Sequence, residues 1–388
     1  MEQRNGGLSM LGFGCLRFPK KGNNVDMEET EREILHAIAC GINYFDTAYI
    51  YKGNEEVLGT ILEKNGMREK VKIATKVPHY LIKSVDDLEK IFQEQLKRLR
   101  TTYVDNYLMH MLPDVHIWEK LIRMGVLDWI KEKQAAGQIR NLGFSYHGNS
   151  RHFMELIDAY DWDFCQVQYN YMDEFSQAGR QGVRHAASKG IPVIIMEPLR
   201  GGRLVQGLPQ KAVEVFEKAE PKRSPAEWGL RWLWNQPEVS CVLSGMNSME
   251  MLDENIRIAN SVKVNELTDD HMKMFEKVKK AINEKIKVPC TGCGYCTPCP
   301  AGVDIPGSFR CYNVRNTDGF FTGMREYMML TTFRSERTNA SLCKKCGKCE
   351  KHCPQGIQIR KELDQVVKHM ENPVYKVIAF LAKGMFRK

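Results

Sequence analysis

No stretch of this 388-residue chain approaches the ~18 consecutive apolar residues that a membrane-spanning helix requires. The first ten residues, MEQRNGGLSM, hold no apolar core of the kind an export signal needs, so a cytoplasmic location is expected. No low-complexity segment interrupts the chain. No GxGxxG follows the first apolar run, which removes the usual marker of an open, doubly wound dinucleotide-binding sheet. With 43% hydrophobic and 27% charged residues, what remains is a globular chain long enough for a large core and an appendage.

Charge is unevenly distributed along that chain. From residue 286 onward there are 17 Lys and Arg against 8 Asp and Glu, whereas residues 1 to 285 carry 39 against 40. The basic residues are not interleaved with stacking aromatics, so nucleic acid is not the expected partner; an acidic protein suits the excess better. Thirteen cysteines would suggest disulfides in a small secreted protein, but eight of them fall in two stretches, CTGCGYCTPCP from Cys290 and CKKCGKCEKHCP from Cys343. That concentration points to metal rather than to disulfides. Cys15, Cys40, Cys165, Cys241 and Cys311 lie scattered and read as packing.

Up to about residue 285 one unit repeats, a short apolar run followed by an amphipathic helix. The runs are LGFGCLRF, INYFDTA, VKIATKV, VDNYLMH, IRNLGFS, FCQVQYN, IPVIIME and VSCVLSG. Stretches such as SVDDLEKIFQEQLKRLR between them show helical spacing. Eight strands alternating with helices in this length predict a closed (β/α)8 barrel over residues 1–287. Composition changes abruptly near Val288, and residues 288–388 form a second, mainly helical unit ending in an amphipathic, basic segment broken at Pro373.

Chemistry in such barrels sits where strands end. The runs end at or near Asp46, Lys76, His110 and Ser145, with Gln166 inside the sixth and Tyr51 five residues beyond Asp46. Together they put a carboxylate, a phenol, an ammonium and an imidazole on one rim. An ammonium beside the phenol is expected to bring its pKa down from ~10 toward neutrality, and an imidazole opposite can orient a carbonyl oxygen.

GINYFDTAYIYKGNEEVLG, IATKV, YLMH, GFS, CQVQYN and SGMNSMEMLDENI, in this order and at these strand ends, resemble the aldo/keto reductases. The resemblance implies Asp46, Tyr51, Lys76 and His110 as catalytic residues, with Tyr51 the general acid. It implies that a nicotinamide cofactor, NADH or NADPH, meets Ser145 and Gln166 through its carboxamide and Glu254 and Asn255 at its adenosine end, and that the substrate is a small carbonyl compound. Tyr146 and His147 replace the Asn usual after the GxS serine, Met196 stands where an aromatic residue usually stacks on nicotinamide, and Met251 replaces the basic residue that grips the phosphate of NADP. Arg200, Gly201, Gly202 and Arg203 after the seventh strand can hold a pyrophosphate or a flavin phosphate, which keeps flavin as an alternative.

The cysteine groups read CxxCxxCxxCP and CxxCxxCxxxCP, which three thiolates at i, i+3 and i+6 suit better for a cubane than for zinc. They resemble the motifs of two-cluster ferredoxins, and their 43-residue interval resembles helical ferredoxin domains of larger oxidoreductases. That resemblance implies two [4Fe-4S] clusters, one held by Cys290, Cys293, Cys296 and Cys353, the other by Cys343, Cys346, Cys349 and Cys299. Cys311 is near enough in sequence to replace Cys299. An electron carrier such as a ferredoxin or flavodoxin is the implied partner. The competing reading is an electron-transfer or complex-forming subunit whose barrel is a scaffold or holds a flavin.

Overall fold

The computed structural model describes residues 1–388 except 291, 293, 335, 354 and 387–388, with the side chains of residues 4, 5, 285 and 382–386 also left aside. Eight parallel strands close into a barrel: β1 (Leu11–Gly14), β2 (Tyr44–Asp46), β3 (Lys72–Pro78), β4 (Val104–His110), β5 (Ile139–Tyr146), β6 (Phe164–Gln168), β7 (Val193–Met196) and β8 (Val239–Ser244). Each pairs with its neighbour in sequence, and β8 pairs with β1 through Val242–Leu11 and Ser244–Phe13. All eight apolar runs are therefore strands. Because helices cover the outside and side chains fill the inside, strands such as β4 are buried along their whole length.

The helix Val85–Arg98 illustrates how sequence makes the outer layer. Ser84 accepts the N–H of Asp87, Asp86 and Asp87 stand in the first turn, and Lys97 and Arg98 close the last, as the helix dipole favours. Leu88, Ile91, Phe92, Gln95 and Leu96 form the inward stripe. Phe92→Ala in this stripe would cost about 3–5 kcal/mol. Gln95 also donates to Glu55 and to Thr75, at 3.0 and 2.8 Å. This polar contact pins β3 from behind and commits Thr75 to the outer side, so that Lys76, its neighbour, faces inward.

A ribbon pairing Gln3–Arg4 with Leu8–Ser9 precedes β1, and Leu8 packs with Tyr44, Ala74, Leu108 and Ile194 inside the barrel. The second unit has its own core, in which Val288, Phe309, Tyr327, Leu363 and Met370 pack, with Cys290, Cys296, Cys299, Cys343, Cys349 and Cys353 against it. Its helices are Ile305–Thr317, Phe320–Tyr327, Lys348–Lys351, Ile359–Met370 and Pro373–Phe386. The last of these buries Tyr375 and Ala379 but leaves Val374, Val377, Phe380 and Leu381 exposed. Among the described residues no helix is long and apolar enough to cross a membrane.

Candidate active site and cluster cavities

Register brings the predicted site residues together. Asp46 ends β2 opposite Ala74, Lys76 sits opposite Leu108, and His110 ends β4 opposite Pro78. Only Tyr44–Asp46 of the second run is strand; the chain then turns, with the Tyr51 N–H on Ala48 O and Asn54 tied to Cys15 O, and this turn carries Tyr51 over the barrel mouth. Lys76 Nζ donates to Asp46 Oδ2 at 2.6 Å and to Thr47 O at 2.7 Å, which leaves one ammonium N–H for the phenol. The Tyr51 ring centroid lies 5.3 Å from Nζ, and the His110 ring stands edge-on to it at 6.1 Å.

Burial dominates the electrostatics. It raises the Asp46 carboxyl above its usual range against the pull of Lys76. It works against the Lys76 ammonium, which Asp46 and Tyr51 nevertheless hold above the ordinary lysine value. For Tyr51 the expected direction is reversed: burial raises its pKa, Lys76 opposes, and Asp46, Glu197 and Cys15 add to the rise. The phenol thus stays protonated through the physiological range. Burial and the Lys76 charge push His110 well down, so its imidazole is neutral.

Four further predicted residues share this mouth or its edge. Ser145 accepts the Met111 N–H at 2.8 Å, and Gln166 donates to Asp46 Oδ1 at 3.0 Å. Gln166 Oε1 is buried with no partner, an unused acceptor of the kind that a nicotinamide carboxamide N–H would satisfy. Asn255 donates to Ser244 at the end of β8, and Glu254 accepts from Ser224. Glu254 lines an open cleft of about 520 Å³ with Lys222, Arg223 and Arg257. Met251 is exposed on the same helix, Met249–Ser261.

Tyr146 does not obstruct the mouth. Strand alternation turns it outward, where it packs on Phe153 at 5.1 Å and donates to Asn149 O, while Ser145 faces in. Met196 packs against the cluster inside the barrel. Arg200 corrects an expectation. Its guanidinium donates to Asp173 at 2.6 and 3.0 Å rather than standing ready for a phosphate. Gly201 and Gly202 adopt left-handed backbone, φ +65° and +92°, and the neighbouring N–H groups of Arg200, Gly202, Arg203 and Leu204 are bonded within the turn.

Asp173 is the centre of a contact that sequence reasoning missed. It is fully buried and also receives Arg310 of the second unit, Gln168 and Asn170. Burial would raise its pKa, but Arg200 and Arg310 hold it far below the carboxylate range. Arg203 reaches Asp318 and Thr322, and Arg334, 1% exposed, reaches His147 O and the His152 ring. Arg325 stands 3.6 Å from Glu197, which follows Met196 with φ +54° and adds its charge to the surroundings of Tyr51. The second unit is therefore seated on the end of the barrel where Glu197 and Asp173 lie.

The cysteines frame two cavities. Cys299, Cys343, Cys346 and Cys349 line one of about 290 Å³, with Ile305 and Leu363 behind them. Cys290 and Cys353 line the other with Phe309 and Ile357, and Cys296 borders both. Cys293 lies outside the described residues. Four thiols around a cavity suit an iron–sulfur cube better than a single ion. Cys311 is fully buried and borders neither cavity, and burial pushes its thiol well up. Cys299, not Cys311, stands near Cys349 and Cys343, whose charges act on one another.

A (β/α)8 barrel joined to a helical unit with two cysteine-lined cavities is placed by comparison with known proteins. The Aldo/keto reductase family pattern matches residues 10–280 and the 4Fe-4S dicluster domain pattern matches residues 289–359. The chain belongs to the aldo/keto reductase family. It is similar to the uncharacterized oxidoreductase YqkF of Bacillus subtilis, 24% identical over 70% of this chain and 93% of that protein. The NADH-specific methylglyoxal reductase of Escherichia coli is 24% identical over 65% of this chain and 90% of its own length. The aldo-keto reductase of Klebsiella pneumoniae, solved in complex with NADPH, superposes with a TM-score of 0.57 at 22% identity, over 72% of this chain and 96% of that one.

Proposed function

We propose that the barrel, residues 1–287, reduces a small aldehyde or ketone, or oxidises the corresponding alcohol, with Tyr51 as general acid, and that residues 288–388 carry two [4Fe-4S] clusters linking it to an electron carrier. The observation that carries the reading is the buried Lys76–Asp46 pair beneath a protonated phenol, with a neutral imidazole edge-on to that phenol. A nicotinamide cofactor supplies the hydride when bound. Gln166 and Ser145 orient its carboxamide, and Glu254 and Asn255 meet the adenosine end. His110 donates a hydrogen bond that orients the substrate oxygen. Tyr51 gives that oxygen its proton, and the Lys76 ammonium stabilises the phenolate left behind. Asp46 keeps the ammonium charged and in place. The methylglyoxal reductase among the relatives supports a small carbonyl substrate.

Clusters pass single electrons, whereas a hydride carries two, so direct coupling within one chain calls for a flavin or an equivalent splitter. Tyr51→Phe tests the central role: kcat/KM for carbonyl reduction should fall by about 10²–10⁴, with iron content and nicotinamide affinity unchanged. An active Tyr51→Phe protein removes Tyr51 as the acid.

A further inference from the structure

We propose that the surface over Cys343–Cys349 is the docking face for a small acidic one-electron carrier protein, and that electrons enter there and pass inward by way of Cys290, Cys296 and Cys353. This rests on the two-cluster reading of the tail and adds to it the entry point and the order. The two cavities differ in what lies behind them. The one bordered by Cys290 and Cys353 is backed by Phe309 of the helix Ile305–Thr317, and the next residue, Arg310, is bonded to Asp173 of the barrel. Its loop also rests directly on the barrel: a Cβ at Gly292 would lie 2.8 Å from Phe175 O. Only glycine permits that approach, at φ +72°.

The other cavity is lined largely by exposed residues, among them Tyr295, Lys344, Cys346 and Lys348. Cys346 is solvent-exposed, and Tyr295, 68% exposed, lines the same cavity. Lys344 and Lys348 line the mouth, and Lys351 is exposed one helical turn beyond Lys348. Local carboxylates are already engaged, Glu350 with Arg360 and Asp364 with Lys345. Among the described residues Lys344, Lys348 and Lys351 have no carboxylate partner. A cysteine site at the surface with uncompensated cations beside it is complementary to an acidic patch around a carrier's redox centre. Per encounter the carrier is oxidised by one electron and the Cys343 site is reduced by one. Two encounters load one electron on each of the two cysteine sites and leave two carriers oxidised.

The test uses the anaerobically purified full chain and, as probe, an acidic [2Fe-2S] ferredoxin. Calorimetry with oxidised ferredoxin gives Kd, and stopped-flow mixing with photoreduced ferredoxin gives the rate of cluster bleaching. Affinity and rate should both fall as salt rises. In the Lys344→Glu/Lys348→Glu/Lys351→Glu variant both should be at least ~10-fold weaker at low salt, while reduction by methyl viologen radical, itself a cation, is undiminished. A Kd and rate equal to wild type overturn the docking face. Should the triple Glu variant lose iron, the Lys→Gln variant at the same three positions gives the same readout with a smaller shift. Absence of iron and sulfide from the wild type would instead overturn the two-cluster reading.

Discussion

The barrel mouth and the cysteine tail hold their reactive groups in opposite ways. At the mouth the groups beneath the phenol are already bonded to protein, Lys76 to Asp46 and Thr47, Asp46 to Gln166, Ser145 to Met111, while His110 Nδ1 has no partner. In the tail the thiols stand around cavities, and Cys346 reaches solvent. Groups that act on a passing substrate must be positioned before it arrives, whereas groups that hold a permanent inorganic core are positioned by it. The barrel should therefore be complete without its cofactor, and the tail should not.

Iron removal breaks the comparison most directly. Chelation should lower hydrogen-exchange protection across residues 289–357 by at least ~100-fold, because metal binding energy is folding energy, while β1 to β8 stay within a few-fold of the holo protein. A tail that remains protected would mean that Val288, Phe309, Tyr327 and Met370 hold it alone. The next largest effect is at the junction. Asp173→Asn leaves Arg200 and Arg310 buried without their shared carboxylate and should cost about 3–5 kcal/mol. Tryptophan fluorescence from the barrel and cluster absorbance from the tail, coincident during denaturation of the wild type, should separate in the variant. Coincident curves would exclude Asp173 as the link.

The smallest expected effect sharpens the comparison from inside the barrel. Glu33, on the helix Met27–Ala39, is buried with both carboxylate oxygens unpartnered, and burial together with Glu29 and Glu250 raises its pKa to about 7. Between pH 4.5 and 7 the folded chain holds a proton there that the unfolded chain releases, so stability contributed by this site falls as pH rises through that window. Glu33→Gln should stabilise by about 1–2 kcal/mol at pH 8 and by nothing measurable at pH 4. Equal effects at both pH values would show that Glu33 titrates normally.

Much of the molecule was legible in the chain. Eight apolar runs alternate with helices, and Asp46, Lys76 and His110 occupy strand ends, where period and register leave little freedom. The cysteine spacing announced two groups, and the ferredoxin resemblance placed Cys299 with Cys343, but only burial showed that Cys311, the open substitute, is sealed in the core. The direction of the Tyr51 shift was misread because proximity to Lys76 can be inferred from order, whereas depth of burial cannot. Arg200 looked free because its partners, Asp173 and, through Asp173, Arg310, are 27 and 110 residues away.

By itself, then, the sequence determined the barrel, the identity of its rim chemistry and the presence of a cysteine-bound redox unit, because all three depend on short-range pattern: periodicity, strand ends and ligand spacing. Only the tertiary structure decided that the tail sits on the end of the barrel where Glu197 and Asp173 lie, that Asp173 joins the two units, and that one cysteine cavity backs onto the barrel contact while the other holds the exposed Cys346. Those arrangements depend on which distant charges share a low-dielectric interior, and their energies arise only once the chain has closed around them.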